Sequence, residues 1–121
     1  MLRYTLAAVM ASTMPAWSAC QGPDAPITGR LALLETRHPN GQAISGWVLM
    51  TGDVCIRMEN LDGNMTEFEP RIVHLVFPDG RPPRIATTMK GEEVTARGDL
   101  MEAHTAWHLG DLVMMDAAIV D

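Results

Sequence analysis

Apolar and polar residues along this chain fall into short alternating runs broken by turn residues. The clearest run is Glu93 to Leu100. Val94, Ala96, Gly98 and Leu100 share one face, and Thr95, Arg97 and Asp99 the other, which is the period of a half-buried strand. Leu112 to Val120 repeats the pattern, with Val113, Met115, Ala117 and Ile119 alternating against Met114 and Asp116. Further strands are predicted over Ile27 to Glu35, Ile44 to Thr51, Val54 to Met58 and Arg71 to Phe77, with a short one at Ile85 to Met89. Pro39-Asn40-Gly41, Gly52-Asp53, Leu61-Asp62-Gly63-Asn64, Pro78-Asp79-Gly80 and Lys90-Gly91 separate them with the residue types that tight turns require. No window sustains a helical period beyond about two turns. Many short strands at regular spacing predict an all-β fold: a small five- or six-stranded barrel resembling an oligonucleotide/oligosaccharide-binding (OB) fold, with a β-sandwich as the alternative.

The beginning of the chain follows a different pattern. Arg3 precedes an apolar run, Tyr4 to Met14, followed by small residues and Cys20. This is the shape of a secretory signal, which makes residues 1–19 a leader and residues 20–121 a single domain. The apolar run is roughly eleven residues, too short for a helix to cross a ~30 Å hydrocarbon core, and no later segment is longer. Export makes a periplasmic or secreted location the expectation, and two cysteines in such a compartment have one intramolecular pairing, Cys20 with Cys55. Trp17-Ser18-Ala19-Cys20 also resembles a lipoprotein signal, which would instead place a lipid anchor on Cys20.

Charge narrows the partners. Loss of residues 1–19 removes Arg3, so Lys+Arg falls from 9 to 8 against 15 acidic residues and the net charge goes from −6 to −7. The remaining basic residues are scattered. An acidic domain without a basic stripe is a poor match for nucleic acid or anionic lipid.

The segment Gly91-x-x-Val94-x-Ala96-x-Gly98-x-Leu100-x-x-Ala103-His104-Thr105-x-x-His108 resembles the C-terminal motif of a family of small exported bacterial proteins of unknown function. Gly29 and Leu31, Trp47 and Leu49 ahead of Cys55, and Ile72-Val73-His74-Leu75 match further marks of that family. Its motif ends in a run of histidines, of which this chain keeps only His108, with Ala106 and Trp107 interposed. The resemblance implies export, a compact β fold and a paired cysteine, and carries no known activity.

Candidate chemistry is sparse. After residue 19 there is one serine, Ser45, in a context unlike a nucleophile elbow, and one lysine, Lys90, beside a turn glycine. No catalytic residue and no cofactor is assigned, and a non-enzymatic role is expected. His104 and His108 are four apart, a spacing that on a helix would suit zinc, with His74 as a third ligand if its strand runs alongside. Here the segment reads as a loop. Methionines such as Met101 offer soft thioethers for copper, although they sit within strand patterns and read as core filler. Trp107 lies in the loop between the two best strands. His104, Thr105, Trp107 and His108 therefore form the predicted contact patch, on the loop Ala103 to Asp111, for a protein, glycan or small-molecule ligand of the cell envelope. The alternative is a zinc or copper protein, or a metal-dependent hydrolase, using His104 and His108.

Overall fold

The computed structural model describes residues 20–120. The predicted leader, residues 1–19, lies outside them. Seven strands frame the domain: β1 (Ile27–Arg37), β2 (Ala43–Met50), β3 (Ile56–Glu59), β4 (Met65–Phe68), β5 (Ile72–Leu75), β6 (Glu93–Glu102) and β7 (Leu112–Ile119). The fold is all-β. Strands β1, β2, β5, β7 and β6 pair in that order, and β6 pairs back onto β1, so they close a barrel. Counting barrel strands alone, the order is first, second, third, fifth, fourth. The third and fifth run parallel and the other pairs antiparallel. This is the arrangement of an OB-like barrel.

Register sorts the side chains. Leu31, Leu49, Val73 and Leu112 are cross-strand partners, as are Leu33, Trp47, Leu75, Met114 and Leu100, and these rows face the interior except at Leu33, which is exposed at the row's end. The alternate row is Ala32, Val48, His74, Val113 and Met101, on the outer face. Strands β3 and β4 form a hairpin inserted between β2 and β5, and Ile56, Met58 and Phe68 carry the core out to it.

Cys20 and Cys55 are joined in a disulfide, with Cα atoms 4.6 Å apart across a separation of 35 residues. Backbone bonds reinforce the join: the Gln21 N–H donates to the Cys55 carbonyl at 2.9 Å, and the Arg57 N–H to the Gln21 carbonyl at 2.8 Å. Cys55 lies immediately before β3, so the bridge fastens the N-terminal end of the domain to the hairpin. A sulfur in this bridge is not free to form a lipid thioether.

Two expectations need correction. Ile85 to Met89 is not a strand. It lies in a short helix, α1 (Arg84–Thr88), which follows Pro83 and turns only Ala86 into the core. Proline just ahead of the first turn and one apolar contact per turn suit a helix as well as a short strand, and periodicity over five residues cannot separate them. The strand predicted from Val54 begins at Ile56, after the bridged Cys55, and β4 was not foreseen. The inward face of β7 also differs from the predicted alternation. Its interior residues are Leu112, Met114, Ala117 and Ile119, and Met115 is 37 % exposed. Register shifts between Arg97 and Asp99, where β7 carries one extra residue at a bulge around Asp116, whose φ is 51°. One extra residue reverses inward and outward for everything before it. Gly98 faces this bulge. A Cβ there would sit 2.6 Å from the Met115 carbonyl oxygen and 3.2 Å from the Ala117 Cα, so only glycine fits.

Candidate functional site

The loop from Ala103 to Asp111 joins β6 to β7, the fourth and fifth barrel strands. Its stem is closed by the Ala103 N–H donating to the Asp111 carbonyl at 3.0 Å. Rather than project into solvent, it folds back across the outer face of β5 and β2. Gly110 comes so close to β5 that an added Cβ would lie 2.2 Å from the Ile72 carbonyl oxygen. Leu109 continues onto β2, its Cδ1 lying 2.7 Å from where a Gly46 Cβ would be. Trp107 then reaches the β1–β2 loop and packs on His38, ring centroids 4.1 Å apart and planes inclined at 31°.

This course explains why Val48 and Val113 are fully buried although neither belongs to the barrel interior. They flank His74 in the outer row, and the loop lies over that row. Sequence alternation assigns such positions to solvent. Leu109 and His108 of the returning loop stand against His74 between the two valines, a cover that local alternation does not register.

All four histidines of the chain meet in this region. His104 and His108 are edge-on at 4.8 Å between ring centroids, and His108 and His74 at 6.2 Å. His108 Nδ1 accepts the His104 N–H at 3.1 Å, and His74 Nδ1 accepts the Leu109 N–H at 3.3 Å. A neutral ring that accepts at Nδ1 carries its proton on Nε2. Burial, then the neighbouring His108, pushes the His74 pKa below that of an ordinary imidazole. His108 is lowered in the same way by burial and by His104. Both rings are therefore neutral at pH 7.

These tautomers bear on metal binding. A metal-bound imidazole normally donates its second ring N–H to an acceptor. His74 and His108 do the reverse, since their Nδ1 atoms receive backbone N–H groups. His104 alone has the metal-ready arrangement, with Nδ1 3.4 Å from the Glu102 carbonyl oxygen. Among the described residues, the grouping that brings three potential ligand atoms within 4.8 Å is Cys20, Cys55 and Glu67, and its sulfurs belong to the disulfide.

The sequence-predicted patch thus comes together, with distinct parts for its members. Trp107 is 44 % exposed and presents the outer side of its ring. Thr105 shapes the loop: its hydroxyl oxygen accepts the Trp107 N–H at 3.2 Å and its carbonyl the His108 N–H at 3.1 Å. His104 is exposed, and His108 is half-buried between His104 and His74. Sequence reasoning missed His38 and Leu109. His38 lies in a turn, held by its Nδ1 accepting the Asn40 N–H at 3.1 Å, and nothing local ties it to Trp107.

Two concavities lie nearby, one of them bordered by the loop. A cleft of about 400 Å³ at its stem is lined by Glu67, Glu69, Glu102 and Asp111, which makes that side strongly acidic. A groove of about 380 Å³ lies beside His74, with Trp47, Leu33, Phe77 and Pro82 as apolar walls. No protein-family model matches this chain, and no curated protein or solved structure shows significant similarity to it.

Proposed function

We propose that this is an exported, non-enzymatic binding domain whose contact surface is the Ala103–Asp111 loop together with the β1–β2 loop that it touches. The observation that carries this reading is Trp107: a large aromatic ring, supported from below by His38 and left open above. Such a ring offers apolar area at little entropic cost to the partner that covers it. In barrels of this topology, the outer face of the second and third strands and the loops joining strands one to two and four to five bind oligosaccharides and oligonucleotides. The acidic stem argues against the polyanion and for a neutral ligand. Polar groups beside Trp107 and its support, namely Thr105, bonded to the Trp107 N–H, and Asn40, bonded to His38, suit the hydroxyl groups of a sugar. The disulfide and the leader-like start support an oxidising location outside the cytoplasm.

Titration with a panel of neutral oligosaccharides, read by calorimetry, tests this. Binding is expected to weaken at least about tenfold in Trp107→Ala, the loss typical of a central aromatic anchor. Absence of binding across the panel, or equal binding by the variant, would count against the reading.

The proximity of His104 to His108 favours a second reading, a zinc or copper site completed by His74. It requires His108 and His74 to exchange tautomers and give up their backbone donors. Native mass spectrometry after zinc or copper addition separates the two: stoichiometric metal lost in His104→Ala and His108→Ala supports the second.

A further inference from the structure

The barrel does not use the whole of β1. Strand β6 runs beside it over residues 27–30, and two bonds at Leu31 end the join. There the Leu31 N–H donates to the Glu92 carbonyl at 2.9 Å and the Gly91 N–H to the Leu31 carbonyl at 2.7 Å. On its other side β1 stays paired with β2 as far as Arg37 opposite Ala43. Alternate residues of an antiparallel strand send their backbone groups to the same side. Leu31 bonds toward β6, so Leu33, Glu35 and Arg37 face that way too. The His38 N–H, bonded to the Gln42 carbonyl at 2.8 Å, shows that the even-numbered residues face β2. Among the described residues no strand lies beside β1 over residues 33–37 on the β6 side. The backbone groups of Leu33, Glu35 and Arg37 thus form an open strand edge, a template for pairing.

Proteins normally spoil such an edge with a proline, a bulge or a charge. The register of β1 with β2 is unbroken over residues 30–37, and proline comes only at Pro39, past the strand. Charges are present, but Glu35 and Arg37 are opposite in sign, two residues apart and exposed on one face. Their cross-strand neighbours within the protein, Ser45 and Ala43, are neutral. The Arg37 guanidinium donates to the Gly41 carbonyl at 2.9 Å, which holds its head at the hairpin tip. The rest of that fork suits a carboxylate.

This spacing chooses among registers when a second β1 lies antiparallel alongside. Outward residues must face outward residues for the bonds to form. Glu35 against Glu35, or Arg37 against Arg37, puts like charges together, which is unfavourable. Glu35 against Leu33 leaves both charges unmatched and sets Arg37 against Leu31, whose backbone is already bonded. Glu35 against Arg37 matches both charges twice. It also places the two-fold axis between the Thr36 residues, a favourable cross-strand couple. Leu34 then lies opposite His38 of the second copy, beside the Trp107 ring that packs on it. Pro39 has no N–H and ends the pairing.

We propose that two copies of this chain associate edge to edge through β1, antiparallel over residues 34–38, in the register that opposes Glu35 and Arg37. Backbone bonds hold the pair. The exposed charges select partner and register, since surface ion pairs add little binding by themselves. So short an edge covers far less area than a permanent dimer needs, and the association is weak and concentration-dependent. It does not depend on what Trp107 binds.

Sedimentation equilibrium on the disulfide-bonded protein tests this between about 10 µM and 1 mM, the span of weak complexes. Mass is expected to rise from monomer toward dimer. Glu35→Arg and Arg37→Glu each convert the attractions into repulsions and should weaken association at least about fivefold. Mixing the two variants opposes unlike charges again, so the mixture should associate within about threefold of wild type. A wild type that stays monomeric throughout, single variants that dimerise unchanged, or a mixture no stronger than its components would each overturn the proposal. Growth beyond the dimer would do so as well, because a two-fold contact closes on itself. Should either variant not fold, Thr36→Cys decides. Residues on the axis must cross-link into a covalent dimer under mild oxidation, whereas Thr28→Cys, on the stretch that β6 covers, must not. Equal cross-linking at both positions, or none at residue 36, refutes the pairing.

Discussion

Gly110 is the residue at which the covering loop comes closest to the barrel, and replacing it with alanine should pry the two apart. Its backbone is not in the left-handed region, so the demand for glycine is one of space alone. The new Cβ would lie 2.2 Å from the Ile72 carbonyl oxygen and 2.8 Å from its carbon, against ordinary contact beginning at 3.4 Å. Both obstacles are backbone atoms of β5, which cannot rotate away. The loop must therefore retreat by about 1 Å or detach. Retreat in place costs about 1–3 kcal/mol, the range for overpacking a tight site. Detachment has a similar ceiling. It exposes the two buried outer-face valines at roughly 0.8 kcal/mol per methyl group and releases two side-chain acceptors worth about 1 kcal/mol each, offset by the entropy the loop regains. A loss of about 1.5–3 kcal/mol is expected in urea denaturation, or roughly 6–20 °C in Tm for a domain of this size. Gly22→Ala, where nothing lies within 4 Å, is the matched control and should be neutral. Hydrogen exchange should show the damage concentrated in residues 103–111. A Gly110→Ala protein within about 0.5 kcal/mol of wild type, with the loop equally protected, would refute the close approach from which the site is built.

Reduction of Cys20–Cys55, or its replacement by two alanines, should lower stability by about 4 kcal/mol, the loop-closure entropy for a 35-residue separation. A denaturation midpoint that hardly moves with reductant would show that the bridge does not constrain the unfolded chain. Val48→Ala should cost about 1.5 kcal/mol, as a core valine would, because the loop buries it from outside the barrel. A cost below about 0.5 kcal/mol would mean the loop does not cover that face. Trp107→Ala should leave stability within about 1 kcal/mol of wild type, since the ring is 44 % exposed. A larger fall in Tm would make Trp107 a structural lid rather than a contact residue.

Much of this architecture was legible in the chain. The alternation in β6 held through all four predicted interior positions, because its partners keep register on the side facing β1 and the extra residue sits in the opposing strand. The cysteine pair followed from count and compartment, and the loop was located by the two strong strands on either side of it. The interior face of β7 was not legible. Alternation read backward from Ala117 and Ile119 passes through Asp116 as though the strand were regular, and nothing local marks the bulge that Gly98 accommodates. Helix α1 escaped for a different reason: five residues hold too few turns for either period to register.

The site divides along the same line. The sequence by itself determined its chemistry, in that Trp107, His104, Thr105 and His108 lie on one connector and imidazoles and an indole are what that connector can offer. Tertiary structure decided what they meet. His38, 69 residues before Trp107, becomes its support, and His74 comes alongside His108 because β5 pairs with β7. Local pattern reports only whether a side chain points in or out of its own strand. Which outward positions stay wet depends on where a distant loop returns, and here it returns across Gly46, Ile72 and His74.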